Sequence, residues 1–312
     1  MASAELAALA AAPMSLVIST RNRPAFVAAA VAAVLEGRPQ PDEIVVVDQS
    51  DRPHATLGDP AATPPCVRYI WSERRGLSRG RNDGIRAARH ELLAFIDDDV
   101  LVQADWLEAF RQALLAADGP RTVITGRVLE GHPEQPGGFA PSTRSTGEPA
   151  VYRGRVGADV LLPNCMLVPR RAFEEVGSFD ERLGAGARFP SSEDNDFGYR
   201  LLEAGYQIVY APQVIARHRA WRAPRAAVPL RFDYGRGQGA YYAKHLAWSD
   251  RYMARRLWWD VRRHVRRAPR RAFVDARAAA GDVVYALAVV LGALEWLVTV
   301  GPRRPGREGG IL

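Results

Sequence analysis

Along the first hundred residues, short apolar runs alternate with polar turns and longer amphipathic stretches. Ser15 to Ser19 (SLVIS) predicts a buried strand, followed by the polar turn Thr20-Arg21-Asn22-Arg23. Pro24 is a favoured first helical residue, so Ala25 to Leu35 predicts a helix, which Gly37 and Pro39 end. A second apolar run, Glu43 to Val47, leads into Asp48-Gln49-Ser50 and completes a βαβ unit with parallel strands. Val67 to Trp71 predicts a third strand, Asn82 to Arg89 a helix, and Leu92 to Ile96 a fourth strand. Polar residues that follow the strands of such a unit gather at the carboxyl edge of the sheet, where ligands of open α/β sheets sit. Thr20 to Asn22, Asp48 and Asp97 to Asp99 are therefore expected to converge.

The fourth strand ends in Asp97-Asp98-Asp99, three like charges that repel strongly where water is scarce. A hard divalent ion, Mg2+ or Mn2+, would relieve them and leave positions open for substrate phosphates. The other reading is an acidic turn in which Asp99 or Asp105 caps the helix predicted over Trp106 to Leu115. A dinucleotide-binding domain is excluded. Its G-x-G-x-x-G should follow the first strand, where this chain has T-R-N-R-P, and Gly76, Gly80 and Gly84 in GLSRGRNDG are spaced by four.

Farther on, Glu193-Asp194-Asn195-Asp196 precedes an amphipathic helix, Phe197 to Ala204, that Gly205 terminates. Acids there are favoured by the helix amino terminus alone, or they supply a catalytic base. Leu183 to Ala187 reads as a flexible loop able to close over a ligand, or as a plain connector. A strand, Gln207 to Tyr210, leads through Ala211-Pro212 to His218, and the Pro/Gly-rich insertion 132–157 shows no pattern.

After His218 a Tyr- and Gly-rich helix runs to about Leu246. Between Asp250 and Ala268, Trp258, Val261 and Val265 fall at i, i+3 and i+7, with Arg255, Arg256, Arg262, Arg263, Arg266 and Arg267 in the polar sector. An aromatic-edged, Arg-rich helix suits an anionic membrane surface. Pro269 is expected to break it. Val283 to Val300 is an apolar stretch of 18 residues containing Glu295, short for a span and costly in lipid. Packing on the protein, dimerisation or shallow membrane burial is expected in preference to crossing, with Arg262 to Arg271 and Arg303 to Arg307 both on the cytoplasmic side.

At 312 residues, 47% hydrophobic and 25% charged, the chain can bury one large α/β core and carry an appendage. Its two cysteines, Cys66 and Cys165, indicate neither a disulfide framework nor a zinc site, and a reducing cytosol fits. Met1 to Ala12 lacks the basic and long apolar regions of a signal peptide. Charge is uneven: residues 219–312 hold 19 basic and 7 acidic side chains, a net of +12, and residues 1–218 hold 23 and 28, a net of −5. Two parts with different roles are expected, 13–218 and 219–312. A basic tail can hold nucleic acid, an anionic membrane or a partner protein, or be a solvated face. No recognisable nucleic-acid module occurs, and the motif-bearing part is acidic, so no nucleic-acid partner is expected.

Four segments in order, VISTRNRP, EIVVVDQS, GLSRGRNDGIRAARHELLAFIDDDV and SSEDNDFGYRLLEAGYQIVYAP followed by Arg217-His218, resemble glycosyltransferase family 2 enzymes of the GT-A fold. The resemblance covers about Ser15 to His218 and continues loosely into RFDYGRGQGAYYAKHL. It implies an α/β, Rossmann-like nucleotide-binding domain with a mixed, mostly parallel sheet, plus a helical, basic, amphipathic appendage. It also implies a metal-assisted inverting transferase that moves a sugar from a nucleotide-diphosphate donor to a hydroxyl acceptor on a glycolipid or cell-envelope polysaccharide. Under the resemblance, Asp99 holds Mn2+ or Mg2+ with His218, and Asp97 faces the ribose. Asp98 is counted with the donor-binding residues without a firm role. Asp48 meets the base or ribose, or only shapes a turn. Thr20, Arg21, Arg81 and Asn82 line the donor. Asp194 is the catalytic base, beside Glu193. The implied enzyme is cytoplasmic and peripheral on the cytoplasmic membrane face, with a homodimer as a further expectation.

Overall fold

The computed structural model describes residues 2–247 and 249–301. The chain forms two compact units: Met1–Glu181 with Asp194–Pro224, and Arg182–Glu193 with Arg225–Leu312.

In the first unit the elements in chain order are α1 (Ala2–Ala11), β1 (Met14–Thr20), α2 (Pro24–Glu36), β2 (Glu43–Asp48), β3 (Val67–Trp71), α3 (Leu77–Ala87), β4 (Leu92–Asp97), β5 (Val100–Val102), α4 (Trp106–Leu115), β6 (Thr122–Pro133), β7 (Ala150–Tyr152), β8 (Cys165–Pro169), α5 (Arg170–Val176), α6 (Glu193–Glu203) and β9 (Gln207–Ala220). The strands make one sheet in the order β3-β2-β1-β4-β8-β6-β9-β5, with β7 added beside β9. Strands β3, β2, β1 and β4 are parallel, β6 is parallel to β9, and β8 and β5 run antiparallel to their neighbours. This is the mixed, mostly parallel α/β sheet that the resemblance implies.

Every residue of β1 and β2 is buried, because helices cover both faces. Leu16, Ile18, Ile44 and Val46 pack on one face with Val27, Val31 and Val34 of α2, and with Trp106 and Phe110 of α4. Val17, Val45 and Val47 face the other way, toward Ile85 of α3.

Helix α3 begins at Leu77, five residues before the expected start at Asn82. Gly80 and Gly84 are not breakers but the contact face: a side chain at Gly84 would overlap Val17, and one at Gly80 would crowd Ser19. Strand β9 runs on to Ala220, ten residues beyond Tyr210, and the insertion after β6 supplies β7, pairing Val151 with Val209. Arg144 of that insertion lies over the Tyr210 ring at 3.7 Å.

The second unit holds α7 (Ala227–Lys244), α8 (Tyr252–Ala272) and α9 (Ala276–Thr299). Close approach of α7 and α9 depends on Gly239 and Gly292, where a Cβ would overlap the carbonyls of Val289 and Arg236. Pro269 does not break α8: it falls in the last turn, where one missing amide bond is tolerated. Helix α9 starts seven residues before Val283, because Asp275 caps it by accepting the Ala278 amide at 2.9 Å. It is long and apolar enough to cross a membrane by length and composition, and half of that stretch is buried within the protein. Glu295 is bound by Arg236 at 2.8 Å and Arg188 at 3.1 Å. Asp282 is enclosed by His264, Arg231 and Arg271 at 2.8, 3.2 and 3.3 Å. Leu183 to Ala187 belongs to this unit, with Leu183 buried. The Arg303 to Arg307 cluster lies outside the described residues.

Candidate functional site

Parallel register brings the strand ends together: Thr20 lies opposite Asp48, and Ser19 opposite Asp97. The acid triplet follows at the end of β4, and the chain turns at once into β5. Because β5 pairs antiparallel with β9, Val100 sits opposite His218, and the Arg219 amide donates to the Asp99 carbonyl at 2.9 Å. Three residues of strand thus deliver His218 to Asp99 across 119 positions of sequence.

Each acid of the triplet has its own partners. Asp97 accepts from Arg81 at 2.7 Å, and that arginine is 2% exposed. Asp98, fully buried, accepts from the Thr20 hydroxyl at 2.6 Å and pairs with Arg23. Asp99 accepts from Arg23 and from the Trp221 indole, each at 2.9 Å. His218 Nε2 lies 3.3 Å from Asp99 Oδ1, within ion-pair distance but without hydrogen-bond alignment, and neither ring nitrogen has a hydrogen-bond partner among the described residues.

The charges of this cluster are strongly perturbed. Burial pushes the Asp98 carboxyl up to about 7 against the pull of Arg23. Burial also works against ionised Asp99, but His218, Arg23 and Trp221 outweigh it and hold that carboxyl far below its ordinary value. For His218, burial would lower the pKa, and the Asp99 and Asp97 charges raise it instead.

Around this centre the other expected residues fall differently. Asp48 is buried; its Oδ1 accepts from the Ser50 amide at 2.8 Å, as a turn-forming Asp does, and its Oδ2 from the Tyr69 hydroxyl at 2.7 Å. Burial, with that bond, pushes the Tyr69 hydroxyl up to about 12. Arg21 is exposed and makes no hydrogen bond or ion pair among the described residues. Asn82 clamps the loop at Phe179. Its side-chain amide donates to the Phe179 carbonyl at 2.9 Å and accepts the Phe179 amide at 3.0 Å. Phe179 in turn lies against Arg81, 5.5 Å from its guanidinium. Asp194 stands in the first turn of α6 within the first unit, its Oδ1 accepting the Asn195 amide at 2.8 Å, and the buried Glu193 is assigned to the second unit.

Two further residues of the centre, Arg23 and Trp221, emerge only from the fold. Arg23 lies over both the Phe26 and Trp221 rings, 5.7 and 5.6 Å from their centres, which orients its fork toward Asp98 and Asp99. The TRNRP turn contains it, but one arginine among 41 carries no signal of its own.

The donor chemistry at Asp99 and His218 fits a divalent ion: one carboxylate oxygen and one imidazole with unpartnered nitrogens. Nitrogen is tolerated by Mn2+ better than by Mg2+. Among the described residues no three or more His, Cys, Asp or Glu side chains are placed to hold a metal ion together, so an ion here would take most of its ligands from substrate and water.

Comparison with known proteins agrees with this architecture. The profile of the family "Glycosyl transferase family 2" matches residues 15–177. A pre-mycofactocin glycosyltransferase of Mycobacterium tuberculosis is 31% identical over 170 residues, which are 49% of this chain and 33% of the relative, so this chain matches about a third of that protein's length. The N-acetylglucosaminyl-diphospho-decaprenol L-rhamnosyltransferase of the same species is 34% identical over 262 residues, covering 67% of this chain and 78% of the relative. Among solved structures, a mannosyltransferase from Pyrobaculum calidifontis in complex with GDP-Man and Mn2+ superposes with a TM-score of 0.57 at 16% identity, over 91% of this chain and 87% of that one. S. aureus TarS with UDP-GlcNAc gives 0.56 at 14% identity, over 78% and 71%. At such identities the structural likeness speaks for the fold alone. Together with the extended sequence match, it identifies the chain as a member of glycosyl transferase family 2 with the GT-A fold.

Proposed function

We propose that the chain transfers a sugar from a nucleoside diphosphate donor to a hydroxyl acceptor, with inversion, at the carboxyl edge of its sheet. The observation that carries this reading is the meeting of Asp97, Asp98, Asp99 and His218 at one edge through the β5–β9 pairing. Asp48, oriented by Tyr69 and Ser50, accepts from the base or ribose, and Asp97 faces the ribose. Arg81, backed by Phe179 that Asn82 fixes, lies where a diphosphate needs a fork of donors, and Arg21 approaches it from the loop. Thr20 holds Asp98, which carries the internal ion pair with Arg23.

Asp99 and His218 would hold the divalent ion, Mn2+ by preference, where it would supply positive charge to the departing diphosphate. Asp194, with Glu193 beside it in the chain, takes the proton of the acceptor hydroxyl as its oxygen attacks the anomeric carbon and the carbon–oxygen bond to the diphosphate breaks. Attack from the opposite face inverts that carbon. A lipid-linked acceptor at the cytoplasmic face of a membrane is supported by the 34% identity with a decaprenol-diphosphate-directed rhamnosyltransferase and by the arginine-rich α8.

A panel of UDP-, GDP- and dTDP-sugars screened by thermal shift, with and without Mn2+, tests the reading. One donor class should stabilise the protein in Mn2+ only, and Asp99→Asn should shift that response to donor concentrations at least about tenfold higher. A response independent of both metal and Asp99, or none to any donor, would overturn it.

A further inference from the structure

Helices α8 and α9 leave an apolar groove of 520 Å³ between them, lined by Val261, Val265, Ala279, Val283, Leu287 and Val290 with their small neighbours. On α9 the stripe continues past the groove through Leu291, Leu294 and Val298, at helical spacing and exposed; Leu287 is 60% and Val298 84% accessible. Phe273 and Val274, at the turn joining the helices, are 92% and 90% exposed. Among the described residues nothing covers this face, which is far more apolar surface than a solvated helix pair normally presents.

Its borders point to the occupant. Trp258 and Trp259 are exposed beside the stripe on α8, with the Arg262 guanidinium 4.7 Å from the Trp258 ring. Arg255, Arg262 and Arg266 follow at intervals of seven and four, in the sector of α8 next to Val261 and Val265. An apolar trough edged by indoles and a row of guanidiniums matches the cross-section of an anionic leaflet: hydrocarbon, interface, then phosphate. From Trp258 to Ala272 the α8 side extends roughly 21 Å, enough for a chain that reaches across half of a hydrocarbon core about 30 Å thick.

We infer that the α8–α9 groove takes one hydrocarbon chain of an anionic phospholipid from the membrane, with the arginines of α8 on headgroup phosphates. The inference rests on the membrane-surface part of the proposed function and not on sugar transfer. It goes beyond surface adsorption, because it specifies an internal seat for a single chain.

The test uses the full chain with vesicles of phosphatidylcholine, alone or with phosphatidylglycerol replacing part of it. The phosphatidylglycerol carries a photoactivatable diazirine near the end of one acyl chain. The protein should sediment with the anionic vesicles only, and adducts should map to Val261–Ala272 and Ala279–Val290. Leu287→Glu, at an exposed position, should weaken sedimentation about tenfold or more. Ala280→Trp fills the groove without adding charge; it should leave sedimentation within about twofold while adduct yield falls about tenfold. Adducts outside those two segments, or full adduct yield in Ala280→Trp, would overturn the groove while sparing membrane attachment. Absence of anionic-vesicle binding would overturn both. A dimer that Leu287→Glu converts to monomer, without vesicle binding, would assign the face to a second copy of the chain instead.

Discussion

The acid edge of the sheet and the outer face of α8–α9 depart from the ordinary partition of residues in opposite directions. At the sheet edge, Asp98 and Asp99 are buried and ionisable, and each is answered by a cation or a donor within hydrogen-bond reach. On the helical face, Leu287, Leu294 and Val298 are exposed and unanswered among the described residues. A buried acid must be compensated inside the protein, so its partners are all visible; an exposed apolar stripe has its partner elsewhere. The second unit also contains the first kind of solution. Asp282 and Glu295 are each met by two or three basic groups, with His264 shared between Asp282 and Asp260 at 2.8 and 3.5 Å. What distinguishes the sheet edge is three consecutive acids with unequal surroundings: burial holds Asp98 up, whereas His218, Arg23 and Trp221 hold Asp99 down.

The largest expected effect separates chemistry from binding at the sheet edge. Asp194→Asn should lower turnover by about 10² to 10⁴ while the donor dissociation constant stays close to wild type. Parallel loss of donor binding would remove Asp194 from its assigned role. Next, Arg23→Met leaves Asp98 and Asp99 without their shared guanidinium. Its side chain is 31% exposed, so the cost should fall at the low end for a buried pair, about 3 kcal/mol in urea denaturation. Adding Asp98→Asn should recover a large part of it, and no recovery would break the claim that these two groups are coupled.

Asp99→Asn should weaken Mn2+-dependent donor binding by about tenfold to a hundredfold, the scale on which metal sites respond to loss of supporting groups, and leave metal-free donor binding unchanged. Isothermal titration with and without Mn2+ reads both. The smallest effect concerns the helical unit. Asp282 is held below its ordinary value: burial opposes its charge, and His264, Arg271 and Arg231 outweigh it. A depressed carboxyl contributes stability that is complete above its unfolded pKa, about 3.9, and is lost as pH falls through the folded value. Protection of the α9 amides, taken relative to their intrinsic exchange rate at each pH, should therefore be constant from neutral pH to about 5 and fall in stronger acid. Asp282→Asn should flatten that acid limb, and an unchanged limb would assign it to other groups.

Much of this was legible in the chain because local pattern sufficed. Strands β1 to β4 announce themselves as apolar runs, Pro24 and Gly205 mark helix ends, and the acid triplet ends a strand. What local pattern missed depends on partners distant in sequence. Val100–Val102 is too short to show a period, and only its pairing with β9 makes it a strand. The glycines of α3 suggest a loop until Val17 supplies the surface they approach. Arg23 and Trp221 gain meaning only from the two acids they share across the fold. Pro269 and Pro212 punctuate locally, and the helix and strand around them continue because tertiary packing outweighs one lost bond.

The indole of Trp221 donates to the carboxylate assigned to the ion. A fluorophore is therefore wired directly to the chemistry, and paramagnetic Mn2+ quenches neighbouring excited indoles where diamagnetic Mg2+ does not. The difference in emission between the two ions, lost in Trp221→Phe, turns an unmodified side chain into an optical gauge of metal occupancy that needs neither donor nor acceptor to be known.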